Sequence, residues 1–242
     1  GSGIKPLTEY STTDYTAILG TVLAGGSKLE FNYTNNRQDK VGYPGLTMDI
    51  VYSYTDMYTL KYRRVTPFMI FSSMNIDLFN TDIDHLMDNV VLRGNSGNGV
   101  MAWPTASDTY GGRIIGTIGS DMRAGIDYEH NRKDAEQNMV MSGSNKFLTY
   151  LWPGVETEKL GIFFEKDLGN ISYGLRYDQV ELDPTKAAED AGGMMFKTAN
   201  EVYSTDYDET IVATKREYDN ISGFLRFTKD TVSYTHLTLP TT

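Results

Sequence analysis

No cysteine occurs in the 242-residue chain, so disulfides, thiolate nucleophiles and thiolate metal sites are excluded. Histidine is scarce, at 3 residues. No Gly-rich phosphate loop, His-Glu-x-x-His or Gly-x-Ser-x-Gly is present, so the parts of a hydrolase or metalloprotease are missing and the chain is read as a non-enzyme. No run of about 20 apolar residues exists to make a membrane helix. Basic charge has no surplus either: 22 Lys+Arg against 32 Asp+Glu leave a net −10 without a basic cluster, which excludes nucleic acid as a partner. The acids around Asp183, Glu189 and Asp190, and around Asp206, Asp208 and Glu209, lack the spacing of a calcium loop and read as solvated loop charge.

What the chain does have is 17 Tyr, 23 Gly and period-two alternation. In KLGIFFEKDLGNISYGLRYDQVEL (Lys159 to Leu182), Leu160, Ile162 and Phe164 alternate with Lys159, Gly161 and Glu165. A turn at Asp167-Leu168-Gly169-Asn170 follows, and Ile171, Tyr173, Leu175 and Tyr177 then alternate with Ser172, Gly174, Arg176 and Asp178. Each arm is about ten residues, the length of a tilted strand across a bilayer. The same pattern recurs on Tyr15 to Leu19, Leu29 to Tyr33, Tyr58 to Tyr62, Ile70 to Leu78, Ile114 to Ile118, Met122 to Tyr128 and Tyr218 to Thr228. Tight turns at Ala24 to Ser27, Val65 to Pro67 and Gly119 to Asp121 join three pairs of arms. Between pairs lie connections expected as long loops, Asn35–Tyr54, His85–Ser107, Asn131–Glu156 and Asp183–Thr214.

Nine strands with tight turns on one side and long loops on the other predict an all-β antiparallel meander forming part of a transmembrane β-barrel, not properly closed. A soluble β-sandwich binding module is the alternative fold. In the barrel, Leu29, Phe31, Tyr58, Leu60, Ile114, Ile126, Phe164, Tyr173 and Leu175 face lipid. Lys28, Glu30, Lys61, Arg63, Arg123, Asp127, Arg176 and Asp178 face the lumen.

Five segments, GYPGLTMDI (Gly42 to Ile50), DHLMDNVVLR (Asp84 to Arg93), TASDTYGGR (Thr105 to Arg113), YGLRYDQVEL (Tyr173 to Leu182) and YDNISGFLRF (Tyr218 to Phe227), resemble successive barrel segments of the TonB-dependent outer-membrane receptors. They are most similar to the copper-type branch. The resemblance implies a Gram-negative outer-membrane protein, a family barrel of 22 strands with a plugged lumen, a plug domain in cis upstream, and energy from a TonB complex. It implies active uptake of a scarce ligand, copper ahead of a siderophore-type chelate; a passive porin-like channel is the rival. Residues 1–231 are read as the barrel portion. Residues 232–242, beginning VSYTHLTLPT, resemble the in-frame translation of a transposon-type sequencing adapter and are set aside, His236 included.

Soft-metal chemistry is the remaining signal. Of 11 Met, seven fall in the expected loops: Met48, Met87, Met101, Met139, Met141, Met194 and Met195. Thioether with imidazole suits copper, especially Cu(I). His85-Leu86-Met87 puts both donors on one face of an extended segment, and Met139-Val140-Met141 repeats the spacing. The resemblance implies that a His-x-Met pair on the barrel joins further ligands from the plug. Trp103-Pro104 and Trp152-Pro153 are ligand-loop aromatics, with interfacial packing as their alternative role. Copper thus enters as a transported ligand and no resident cofactor is expected.

Overall fold

The computed structural model describes residues 10–94, 99–140, 146–185, 196–198 and 215–228. The strands are β1 (Ser11–Val22), β2 (Lys28–Val41), β3 (Asp49–Arg64), β4 (Ser73–Asp88), β5 (Val100–Ile118), β6 (Met122–Val140), β7 (Lys146–Asp167), β8 (Ile171–Pro184), β9 (Phe196–Thr198) and β10 (Arg216–Phe227). They form one sheet in the order β1-β2-β3-β4-β5-β6-β7-β8-β10, with the short β9 parallel to β7 and off this path. Every other pairing is antiparallel between neighbours along that order. Among the described residues the sheet is an open meander, and no second sheet packs on it as a sandwich would require. β1 and β10 are its two edges.

Register puts the alternation to work. Phe31, Leu60 and Leu78 stand opposite one another, as do Ile114, Ile126 and Ile162, and Phe164 faces Leu175. This apolar face is exposed: Leu60 is 37%, Ile126 41% and Leu175 62% accessible. An apolar face open along its whole length, with few buried apolar residues behind it, is not how a water-soluble sheet makes a core. At one end of the band stand stacked Tyr33 and Tyr58, with ring centroids 4.9 Å apart, and the pair Tyr110 and Tyr128 at 6.5 Å. Beyond them the same face turns polar, where Asp56 accepts hydrogen bonds from Tyr33 (2.7 Å), Asn35 (2.6 Å) and Arg37 (2.5 Å).

On the other face, one register row crosses seven strands: Glu30, Lys61, Asp77, Arg113, Asp127, Gly161 and Asp178. Charge alternates along it, and at Gly161, the single gap, a cation arrives from elsewhere. The Arg176 guanidinium, two residues along β8 from Asp178, lies over Gly161 where a β-carbon would stand. From there it donates two bonds of 2.9 Å to Asp127 and reaches Asp178 at 2.5 Å. Glycine is needed here for close approach, not for its backbone freedom. Three phenylalanine rings use glycines on this face in the same way: Phe79 lies over Gly111, Phe163 over Gly125 and Phe224 over Gly174, each pair directly opposite in register. A ring covering a cross-strand glycine restores the packing that the glycine lacks.

Two expectations need correction. Three of the four long connections are mostly strand: β2 and β3 leave only 42–48 between them, β4 and β5 leave 89–99, and β6 and β7 leave 141–145. The ladder continues because Thr and Tyr favour strands and backbone pairing itself needs no apolar face, and it then carries no hydrophobic alternation to read. Most of the fourth connection, like residues 229–242, lies outside the described residues. Ile70, expected on the arm of β4, sits in the turn before it, where Phe68 and Phe71 bridge and Met69 adopts φ 54°.

Candidate functional site

β7 is 22 residues long, about 70 Å if fully extended, so the sheet reaches far past its apolar band. The candidate site lies in that extension. His85 stands twelve residues past Ser73, the start of β4, between Ser53 of β3 and Thr105 of β5. Met87 stands between Ile50 and Trp103 on the same face. A register shift between Ile50 and Tyr52 brings Ile50 to Met87. A bulge of this kind re-aims side chains near a site.

The second half of the site comes from β5 to β7. Thr105 faces Ala135, and Ala135 faces Trp152. Around Ala135 the pairing of β6 with β7 shifts twice, where Trp152-Pro153-Gly154 adds residues to β7 and Gly154 takes φ 58°. Proline cannot donate to the ladder and glycine tolerates this backbone angle, so the dipeptide makes the bulge. The shifted strand carries Trp152 into a cavity of about 360 Å³ that it shares with His85, Met87, Trp103 and Thr105, floored by Ala135 and bordered by Glu136. Ala135 is 3% exposed and Trp152 47%.

Four residues singled out in the sequence, His85, Met87, Trp103 and Trp152, therefore meet in one cavity, although they come from three strands and span 68 positions. His85 Nδ1 lies 3.3 Å from Thr105 Oγ1. In the tautomer that donates this bond, Nε2 keeps its lone pair for a metal. Burial pushes the His85 imidazole below its ordinary pKa and the Asp84 charge only partly offsets this, so near pH 7 the ring is neutral, the ligating form. The Trp103 indole N–H is buried without an acceptor among the described residues, and Lys133 Nζ lies 5.9 Å from the Trp152 ring centroid.

Of the pair Met139 and Met141, Met141 lies outside the described residues. Met139 instead stands directly opposite Met101, and Met101 is two residues along β5 from Trp103. Met101 was legible only as one loop methionine among seven; the register makes it the partner of Met139. Met48 is 4% exposed and packs as core. Among the described residues no cluster of three or more His, Cys, Asp or Glu is present.

The residues expected to face a lumen all lie on the polar face. Lys28 stands opposite Arg63, and Glu30 opposite Lys61 at 3.6 Å. Arg123 pairs with Glu165 at 3.4 Å, and Asp127, Arg176 and Asp178 form the network described above. Sequence reading missed Asp77 and Arg113, which complete the row, and Lys159 with Glu129, an ion pair of 2.8 Å.

A buried clamp holds the connections beside the cavity. Asp49, fully buried, accepts from Arg93 Nε (2.6 Å), from a second Arg93 nitrogen (2.7 Å) and from the Tyr43 backbone N–H (2.7 Å). Burial alone would raise the Asp49 carboxyl, but the Arg93 hydrogen bonds and charge, with the Tyr43 N–H, outweigh it and hold the group below the ordinary carboxylate range. Asn89, 1% exposed, closes the next connection through Gly99 O (2.7 Å) and Met101 N–H (2.8 Å).

A single open meander of long strands, apolar on one face and ionic on the other, defines the class: a section of an up-and-down β-barrel-type sheet. Among solved structures the chain is similar to one titled "Copper transporter OprC", with a TM-score of 0.68 and 16% identity. The match covers 93% of this chain and 35% of that one, so the chain spans about a third of its neighbour's length. At that identity the likeness concerns the fold. No protein-family model and no curated protein matches the chain.

Proposed function

We propose that the chain is a section of an outer-membrane transport barrel that captures copper at its external end and imports it with TonB-transmitted energy. It acts without catalysis. The exposed apolar band with its tyrosine belt is the lipid-facing surface, and strands beyond β1 and β10 complete the barrel. The ionic face lines the lumen and meets a plug domain in cis, which passes on the energy of a TonB complex in a Gram-negative envelope. The observation that carries this reading is the convergence of His85 and Met87 at the far end of the polar face, on a sheet whose fold a copper transporter shares over 93% of the chain. One imidazole and one thioether leave a Cu(I) site incomplete. Met101 and Met139 stand nearby in register, and a plug residue is the other source of ligands.

Copper titration of the full-length protein, native against His85→Ala and Met87→Ala, tests the proposal. Each variant is expected to lose about tenfold or more in affinity, which corresponds to about 1.4 kcal/mol. Undiminished affinity in both would end it.

A further inference from the structure

Met87 is held at the cavity by a short stretch of ladder. Past the register shift only two residues of β3 remain, Ile50 opposite Met87 and Asp49 opposite Asp88. So short a pairing resists a one-residue slip weakly, yet such a slip would turn Ile50 away from Met87 and bring Asp49 round to the cavity side. Backbone pairing alone does not secure it. Asp49 does, fully buried under two nitrogens of Arg93. Arg93 belongs to the next connection, and the nitrogen that reaches Asp49 at 2.7 Å also donates to Tyr43 O at 2.5 Å, so one side chain ties both connections together. The turn that presents Arg93 is built on the residue after Met87. Asp88 accepts from the Val90 and Val91 N–H groups at 3.0 Å each, and Gly94, at φ 65°, closes the turn on Val90 O at 2.8 Å. On the β5 side, the Asn89 backbone N–H adds a bond of 3.2 Å to Met101 O, beside the two made by its side chain. Ile50, 8% exposed, is thereby kept opposite Met87.

We infer that Asp49 and Arg93, with Asn89, are positioning residues for copper capture: they fix the register beyond the bulge and so present the Met87 thioether on the face that carries His85. A methionine side chain is unbranched and flexible, so its sulfur is placed by the walls around it. A site whose supporting residues give way by about 1 Å keeps its ligands but loses their alignment. Asp49 is not itself a donor to the metal, because its oxygens are taken by Arg93 and the Tyr43 N–H. The inference rests on the transport reading above, and its test separates the two.

The test uses full-length protein in detergent, titrated with Cu(I) alone in native, Arg93→Ala, Arg93→Lys, Asp49→Asn, His85→Ala and Met87→Ala forms. Affinity is read together with the sulfur contribution to the copper K-edge X-ray absorption fine structure and with proteolysis of the 42–48 connection. Arg93→Ala and Asp49→Asn are each expected to open the connection, to weaken Cu(I) binding about tenfold and to lower the sulfur contribution while the His85 nitrogen remains. Arg93→Lys keeps a charged donor for Asp49 and is expected to stay within about threefold of native. A role confined to stability would open the connection and leave affinity and sulfur signal at native values; that result overturns the inference. A connection that stays protected in both Arg93→Ala and Asp49→Asn overturns it as well. Asp49→Asn preserves side-chain volume and carries the test if Arg93→Ala does not assemble. If His85→Ala and Met87→Ala bind Cu(I) as native does, copper capture falls and the positioning falls with it. If those two weaken binding and the Asp49 and Arg93 variants do not, the positioning alone falls.

Discussion

Arg176 owes its place to what is absent beside it. Its guanidinium occupies the space over Gly161, between carboxylates contributed by β6 and β8. Any side chain at 161 displaces it. Gly161→Ala is therefore expected to cost about 1.5–3 kcal/mol, the range for hydrogen bonds to charged groups, measured by unfolding from lipid vesicles. Gly20→Ala, where the nearest atom to a new β-carbon is 3.9 Å away, is the matched control and should be nearly silent. At Asp49 the residue-scale expectation concerns pH. Its folded-state pKa is depressed, so the clamp's contribution is present in full above the unfolded value of about 3.9 and is lost as pH falls through the lower folded value. The amide protection factor at Tyr43 and the protease resistance of the neighbouring connection should stay flat from pH 7 to about 5 and fall only in stronger acid. Asp49→Asn should abolish that pH dependence and open the connection at every pH.

For the strands, legibility followed the apolar face. Where Leu160, Ile162 and Phe164 stand on one side and charges on the other, the alternation marks a strand and also its orientation. Past the tyrosine belt, Thr34 to Lys40 on β2 are polar on both faces, so the same ladder continues with no pattern to announce it. Register was illegible for another reason, because it depends on partners distant in sequence: Arg176 and Asp127 are 49 residues apart. The site was half visible. His85-x-Met87 shows its facing in three letters, but only the bulge at Trp152-Pro153-Gly154 brings the second tryptophan to it, and the proline and glycine there were a signal for the bulge. If the apolar face meets lipid as proposed, Arg in place of Ile126 or Leu175 should cost about 2–4 kcal/mol near the midplane. Arg in place of Asn75, exposed on the ionic face two residues from Asp77, should cost much less. Equal losses would show that the two faces do not differ in solvent.

Over the whole molecule, two long edges remain. Every residue of β1 and of β10 is exposed, and each strand is paired on one side only among the described residues. An unpaired row of N–H and C=O groups templates further pairing. The 242-residue chain by itself in detergent should thus self-associate with rising concentration in sedimentation velocity, and a monodisperse monomer would argue against edges of this kind. The sheet must also choose among its own alternatives. A slip of one residue turns every apolar side chain to the wrong face and is rejected by solvent. A slip of two keeps all faces correct, and hydrophobicity cannot object to it. Between β4 and β5 such a slip would move Asp77 from Arg113 to Gly111 or Ile115, and would lift the Phe79 ring off Gly111 onto Thr109 or Arg113. The row of alternating ions and ring-covered glycines therefore works as a vernier: alternation of polarity reads odd errors, the ionic row reads even ones, and together they admit one alignment of these strands.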